Sequence, residues 1–149
     1  MAFEQLKLEN QICFPIYALQ RLITQEYTQY LSKFNITYPQ YLVLMVLWEK
    51  NNLTISEIGE KLLLNTNTLT PLLKRMESLE LIHRVRSSED ERKVFISLTL
   101  KAKEIEEQAS TIPHSLLEGI GCDNIDMKDF LDMKENLNIL IKRLQNKKV

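Results

Sequence analysis

Hydrophobic residues recur at helical spacing along most of this chain and switch to strand-like runs only once. From about Leu8 to Leu31, the residues Ile12, Ile16, Leu19, Ile23, Tyr27 and Tyr30 follow every three or four positions, which predicts a helix with one buried stripe. Pro15 marks its first turn or a kink, because an interior proline removes a backbone donor. Thr37-Tyr38-Pro39 predicts a cap with proline early in a second helix, and the apolar run Tyr41 to Trp48 places that helix in the core. Thr54-Ile55-Ser56-Glu57 is a capping box that opens a short helix to about Leu63. Asn65-Thr66-Asn67-Thr68 then offers several caps ahead of Leu69, Leu72, Leu73, Met76 and Leu79. With Asn67 as the cap, Pro71 falls in the first four helical positions, whose N–H groups lack intrahelical partners.

The period then changes. Leu81 to Arg86 and Lys93 to Leu98 are β-rich runs separated by polar Ser87-Ser88-Glu89-Asp90-Glu91-Arg92, which predicts a small hairpin. Thr99 caps a further helix that Pro113 interrupts near Ile112. Phe130, Met133, Leu137, Leu140 and Leu144 alternate at three and four positions, a seam suited to a last helix. There is no internal repeat or low-complexity segment. The expected fold class is therefore mainly α with a small β-hairpin, and 149 residues suit a single domain. Three glycines and four prolines leave few of the tight turns that an all-β sandwich needs. The longest apolar run is far shorter than the ~20 residues of a membrane span, so no membrane partner is expected. Met1-Ala2-Phe3-Glu4-Gln5 lacks the basic start and apolar stretch of a signal peptide, which predicts a cytoplasmic chain with Cys13 and Cys122 as thiols.

A net charge of −1 hides opposite blocks. Residues 66–103 carry eight Lys/Arg against five Asp/Glu, a net +3, while 104–135 carry two against nine, a net −7. Docking responds to the local field, so the middle of the chain is suited to meet phosphate and the later block is not.

Short helix, polar turn, helix and hairpin in that order make a winged helix-turn-helix candidate. Its second helix presents its first turns to base edges in a major groove of double-stranded DNA, and the hairpin reaches the neighbouring backbone or minor groove. Thr66, Asn67, Thr68 and Thr70 are suitable readers, and Lys74 and Arg75 are suited to hold phosphates. Arg84, Arg86, Arg92 and Lys93 flank the hairpin loop. Charge alone fits equally a set of solvated surface groups; the order of elements favours DNA.

Cys13-Phe14-Pro15-Ile16-Tyr17, Ile36-Thr37-Tyr38-Pro39-Gln40-Tyr41, the run Thr68 to Met76, and Asp90-Glu91-Arg92 followed by Leu98-Thr99 resemble the MarR family. More narrowly they resemble its OhrR-type organic-hydroperoxide sensors, from about Leu8 to Leu144. The resemblance implies one MarR-like domain over residues 1–149. About 8–36 and 99–149 would be interlaced dimerisation helices, and about 37–98 the DNA-binding region. It implies a homodimeric repressor whose operator is released when Cys13 is oxidised by an organic hydroperoxide or related oxidant. Where the family commonly opens its recognition helix with Asp-Ser-Gly-Thr, this chain has Asn65-Thr66-Asn67-Thr68.

Only a thiolate is a good nucleophile, so a peroxide sensor needs hydroxyl donors or a helix start beside its cysteine. Tyr17 lies one helical turn from Cys13. By resemblance, Tyr27 and Tyr38 match family tyrosines that gather round the sensing sulfur across the dimer interface. Phe14, Ile16 and Phe34 would form an apolar lining that favours alkyl or lipid hydroperoxides. Without the family, Cys13 reads as a small core hydrophobe and the tyrosines as packing. Cys122, among glycines late in the chain, matches by resemblance a second cysteine that pairs with the sensing cysteine of the other subunit; the alternative is a free loop thiol, with Cys13 capped by a small cellular thiol.

Other chemistry is poorly supported. Gly119-Ile120-Gly121 is too short for a dinucleotide loop, and no phosphate-binding lysine follows a glycine. His83, His114, Cys13 and Cys122 lack paired zinc-ligand spacing. No cofactor, metal or catalytic residue is expected, and the chain reads as a regulator and not an enzyme. Two rivals stand beside that reading: a sensor of small phenolic ligands with Cys13 merely structural, and a thiol peroxidase that would leave the basic hairpin without a purpose.

Overall fold

The computed structural model describes residues 3–121 and 126–147. In chain order its elements are α1 (Cys13–Leu31), α2 (Tyr38–Glu49), β1 (Leu53–Thr54), α3 (Ile55–Leu62), α4 (Thr66–Ser78), β2 (Ile82–Arg86), β3 (Val94–Leu98), α5 (Leu100–Ala109), α6 (Ile112–Ile120) and α7 (Met127–Asn146). They form two compact units that part between Ile112 and Pro113.

In the first unit, α2 is the central helix. The Thr37 N–H donates to Gln40 Oε1 at 2.8 Å, and Pro39 sits in the first turn, where its missing donor costs no helical bond. Tyr41, Val43, Leu44, Val46 and Leu47 are all buried, while Met45 of the same run is exposed, so the apolar run places most but not all of the helix surface in the core. Against it lie Ile58 of α3, Leu69, Leu73 and Met76 of α4, Ile82 and Ile96 of the sheet, and Ala102 and Ile105 of α5. The Trp48 indole N–H donates to the Ala102 carbonyl at 3.0 Å and ties α2 to α5.

The joint between α3 and α4 is tight. Thr54 and Glu57 form the expected reciprocal cap: the Glu57 N–H donates to Thr54 Oγ1 at 3.3 Å, and the Thr54 N–H donates to Glu57 Oε2 at 2.7 Å. The helix ends as Leu63 turns left-handed at φ 57°, and the Leu64 N–H returns to the Gly59 carbonyl at 2.9 Å. A Cβ on Gly59 would stand 2.7 Å from the Leu64 carbonyl oxygen, so this close return requires glycine.

The hairpin gains a third strand. Order in the sheet is β1-β3-β2, antiparallel throughout, with Leu53 opposite Ile96 and Arg84 also opposite Ile96 from the other side. Asn51 Oδ1 accepts from the Leu98 N–H at 2.9 Å and so fixes where β3 ends. Thr99 closes the unit: its hydroxyl donates to the Glu80 carbonyl at 2.7 Å and accepts from the Ala102 N–H at 3.2 Å, capping α5 while holding the α4–β2 joint.

Four expectations need correction. The first helix starts at Cys13 and not near Leu8, because a longer helix would set Pro15 in its interior against the Gln11 carbonyl; residues 4–10 form two 3-10 turns instead. The cap of α4 is Asn65 and not Asn67: Asn65 Oδ1 accepts from the Thr68 N–H at 2.9 Å. Pro71 is therefore the sixth residue of α4, and the Asn67 carbonyl it leaves without a helical partner belongs to an exposed residue that water can satisfy. The hairpin is part of a three-stranded sheet, since the two residues of β1 are too few to show a period. Lastly, only the second half of the α1 stripe is covered within one chain: Ile23 is half-buried and Tyr27 and Tyr30 pack on the core, whereas Ile12 is 80% exposed, Ile16 47% and Leu19 45%.

In the second unit, Pro113 occupies the second position of α6, and Asp126 Oδ1 caps α7 by accepting from the Lys128 N–H at 3.1 Å. Met133, Leu140 and Leu144 of the α7 seam are exposed, and Phe130 and Leu137 half-buried.

Gly59→Ala gains about 1 kcal/mol of helix propensity but meets a backbone oxygen that no rotamer change can move, at a cost of about 1–3 kcal/mol. The expected net effect is a lowered midpoint of urea unfolding; a raised midpoint would show that the joint gives way freely.

Candidate functional site

The residues expected to meet DNA fall on the amino end of α4 and on the wing formed by β2, its loop and β3. Asn65 fixes that end, since its Oδ1 also accepts from the Thr68 hydroxyl at 3.0 Å. Thr66, Asn67 and Thr68 are exposed there, Thr70 is half-buried, and Lys74 and Arg75 are exposed further along the helix. The wing loop is organised by Ser87 and Asp90. Ser87 Oγ accepts from the N–H groups of Glu89 and Asp90 at 3.2 and 3.3 Å, and the Lys93 N–H donates to the Asp90 carbonyl at 2.8 Å. Asp90 Oδ1 accepts from both the N–H and the Nε of Arg92, at 3.1 and 3.3 Å, and the Arg92 side chain stands 93% exposed. Arg86 and Lys93 are exposed at the loop's two feet.

Arg84 departs from that company. Its side chain is only 19% exposed, and Nη1 is paired with Glu77 Oε2 of α4 at 3.2 Å. Charge alone marks Arg84 in the sequence, whereas Glu77 carries no such mark because its partner lies on another element.

The thiol site is divided. Cys13 is exposed at the first position of α1, where backbone N–H groups have no helical partners. Tyr17, one turn on, has its hydroxyl engaged by the Arg21 guanidinium at 3.2 Å, with Arg21 also 5.9 Å from the ring centre. Phe14 and Ile16 are exposed, and Phe34 is half-buried under the Lys33 ammonium, 4.7 Å from its ring centre.

Tyr27 and Tyr38 do come together, with ring centres 4.6 Å apart. Tyr41, absent from the residues expected at this site, completes the cluster at 5.7 Å from Tyr27 and 6.5 Å from Tyr38; its place one turn after Tyr38 is the signal that the sequence offers. Burial, and then the neighbouring Tyr38 and Tyr41, push the Tyr27 phenol up to about 12. Burial raises Tyr38, and burial with Tyr38 alongside raises Tyr41. These hydroxyls therefore keep their protons at neutral pH, each with an O–H available to donate. Cys13 and Tyr27 lie fourteen residues apart on one helix, roughly 21 Å at about 1.5 Å per residue, so a single chain does not join thiol and cluster. Cys122 lies outside the described residues. Among those described, no group of three or more His, Cys, Asp or Glu is placed to hold a metal ion.

Residues 25–109 match the family model of the SarA/Rot transcriptional regulators. The organic hydroperoxide resistance transcriptional regulator of Bacillus subtilis (strain 168) is 47% identical over 145 residues, which cover 97% of each chain. The chain belongs to the MarR family, among the organic-hydroperoxide-resistance regulators. Two solved structures of AbfR, a Staphylococcus epidermidis protein, are similar to this MarR-family chain. Reduced AbfR bound to DNA is 40% identical with a TM-score of 0.73, over 93% of this chain and 98% of that one. Disulfide-formed AbfR is 39% identical with a TM-score of 0.61, over 93% and 95%. The MarR-family assignment agrees with the winged helix built by α3, α4 and the sheet.

The tyrosine cluster has a pH signature. Between pH 10 and about 12 the folded chain retains phenol protons that the unfolded chain has lost, so stability falls as pH rises through that window. Urea unfolding from pH 9 to 11 should show a shallower fall for Tyr27→Phe than for the wild type. Equal slopes would mean that Tyr27 titrates as it does in the unfolded chain.

Proposed function

We propose that this chain is a homodimeric transcriptional repressor that holds an inverted-repeat operator and releases it when Cys13 is oxidised by an organic hydroperoxide. One observation carries the reading: an exposed thiol opens α1, and Tyr27, roughly 21 Å further along that helix, joins Tyr38 and Tyr41 of α2 in a proton-bearing cluster, in a chain that also presents a winged helix. A second chain laid against α1 would bring its Tyr27 and Tyr38 to the first chain's Cys13. The apolar residues left uncovered on α1, Phe14, Ile16, Leu19 and Leu22, and those on α7 supply the surface for such pairing.

The exposed amino end of α4 reads base edges with Thr66, Asn67, Thr68 and Thr70, Lys74 and Arg75 hold phosphates, and Arg92 enters a flanking minor groove. Arg86 and Lys93 meet the backbone beside it. AbfR bound to DNA in its reduced state, and AbfR with a disulfide formed, supply the precedent for coupling these two activities.

In the chemical step the Cys13 thiolate attacks the terminal oxygen of the hydroperoxide. The S–O bond forms as the O–O bond breaks, two electrons pass from sulfur to the peroxide, and the alkoxide leaves to take up a proton as alcohol. Cys13 becomes a sulfenic acid. Condensation with Cys122 of a second chain, releasing water, would give a disulfide and protect the sulfur from further oxidation. The reaction occurs once per switch and requires no turnover, so the chain acts as a sensor and not a peroxidase. We place it in the cytoplasm, with DNA, a second copy and the oxidant as partners and no cofactor; among the described residues no helix is long and apolar enough to cross a membrane.

Footprinting on the DNA upstream of the chain's own gene tests this. The wild type should protect an inverted repeat and lose it on treatment with cumene hydroperoxide, giving a dimer on non-reducing gels that Cys122→Ser abolishes. Cys13→Ser should bind with equal affinity and stay bound, because an alcohol forms no sulfenic acid. Release of Cys13→Ser by the peroxide would move the sensing step elsewhere.

A further inference from the structure

Arg84 combines three observations that a DNA-facing arginine would not. Its side chain is mostly buried, Nη1 is held 3.2 Å from Glu77 Oε2, and Nε is buried with no hydrogen-bond partner. A half-buried ion pair with one N–H unmatched carries a desolvation cost, so its presence calls for some return other than stability. The pair bridges the joint between α4 and β2. That joint is only Leu79-Glu80-Leu81, with Glu80 left-handed at φ 57°, the Leu81 N–H donating to the Met76 carbonyl at 3.0 Å, and the Thr99 hydroxyl on the Glu80 carbonyl. Arg84 lies beyond it, in the middle of β2 and opposite fully buried Ile96, where the wing leaves the core.

We propose that Arg84 is a positioning residue for operator recognition: clamped by Glu77, it sets the angle between the wing and the recognition helix. This rests on the functional reading above and assigns within it a role distinct from DNA contact. From Ile82 to Ser88 the wing extends roughly 20 Å at about 3.3 Å per residue, so a swing of about 10° at its base moves the tip roughly 3–4 Å. That exceeds the few tenths of an ångström over which a hydrogen bond near 2.9 Å keeps its strength. Arg92 at the tip and Thr66 to Thr68 on α4 can engage one duplex together only if the base of the wing is held.

Salt titration separates the brace from a contact. A lysine or arginine lost from a phosphate lowers the slope of log affinity against log salt by about 0.9 per contact. Arg84→Met, Glu77→Gln, Arg92→Ala and the double charge swap Glu77→Arg/Arg84→Glu are compared with the wild type on the footprinted inverted repeat and on a scrambled duplex of equal length. The brace predicts that Arg84→Met and Glu77→Gln each lose about tenfold or more in operator affinity with the slope unchanged, while binding to the scrambled duplex is kept. It predicts that the swap recovers most of the loss. Removing the Glu77 carboxylate should otherwise strengthen binding to any DNA, so the weaker operator binding of Glu77→Gln is opposite in sign to the plain charge effect.

A slope lowered by about one unit per subunit in Arg84→Met, or tighter operator binding by Glu77→Gln, would overturn the brace and return Arg84 to the DNA contacts. Glu77 is exposed enough that Glu77→Gln folds, so this variant alone decides between brace and contact if Arg84→Met does not fold. A wild type that protects no DNA would fail earlier and overturn both the functional reading and the brace.

Discussion

A straight helix separates what it carries. Nineteen residues of α1 hold Cys13 at one end and Tyr27 near the other, and the helical rise keeps them roughly 21 Å apart whatever the side chains do. The separation follows from Pro15. It fixes the start of the helix just ahead of itself, so the thiol takes the first position and stands in solvent, while the tyrosines fall where α1 meets α2. A chain of contacts runs from there to the wing. Tyr27 packs at a tilt against Tyr38 and Tyr41, Tyr41 and Trp48 meet edge to face with centres 5.9 Å apart, and the Trp48 N–H donates to the Ala102 carbonyl. Ala102 in turn binds Thr99, whose hydroxyl holds Glu80 beside the base of the wing. The phenols are thus packed against the core that carries the winged helix, whereas Cys13, in the same unit, stands exposed.

The winged helix shows how few residues set its geometry. Gly59 admits the Leu64 carbonyl, Asn65 caps α4, Ser87 and Asp90 shape the loop that presents Arg92, and Thr99 binds both sides of the α4–β2 joint. None of these touches a base in the proposed complex. Each decides where the residues that do so will stand, and the +3 excess over residues 66–103 lets a chain with a net charge of −1 still be locally basic there.

Much of this is legible in the order of residues alone. Caps are local: Thr54 and Thr99 accept from backbone N–H groups three residues on, and Gln40 reaches back three residues to the Thr37 N–H, so residue type and spacing identify them. Asn65 and Asn67 are not separable in that way, since both precede the same apolar pattern; the tight Gly59–Leu64 return decides between them by leaving no more than Asn65 itself before α4. The two residues of β1 carry no periodicity. Arg84 has the charge of a DNA contact, and only the fold reveals Glu77 beside it. The stripe on α1 is apolar as its spacing predicts, but its first half, Ile12, Ile16 and Leu19, is exposed, because periodicity says that a face avoids water and not which molecule covers it. Tyr27 and Tyr38 are identified through the family, whereas their cluster with Tyr41 requires the α1–α2 contact.

The central claim is that the sensing centre is assembled from two chains, with the thiol from one and the phenols from the other. Purified heterodimers containing a single Cys13 test it directly. In one arrangement the subunit with Cys13 also carries Tyr27→Phe and Tyr38→Phe, and its Cys13→Ser partner keeps both tyrosines. In the other, the Cys13 subunit keeps its tyrosines and the Cys13→Ser partner carries both phenylalanines. The rate of sulfenic acid formation with cumene hydroperoxide is then measured for each. Assembly across the dimer predicts near wild-type oxidation in the first arrangement and slow oxidation in the second; the reverse order, or equal rates, would contradict it.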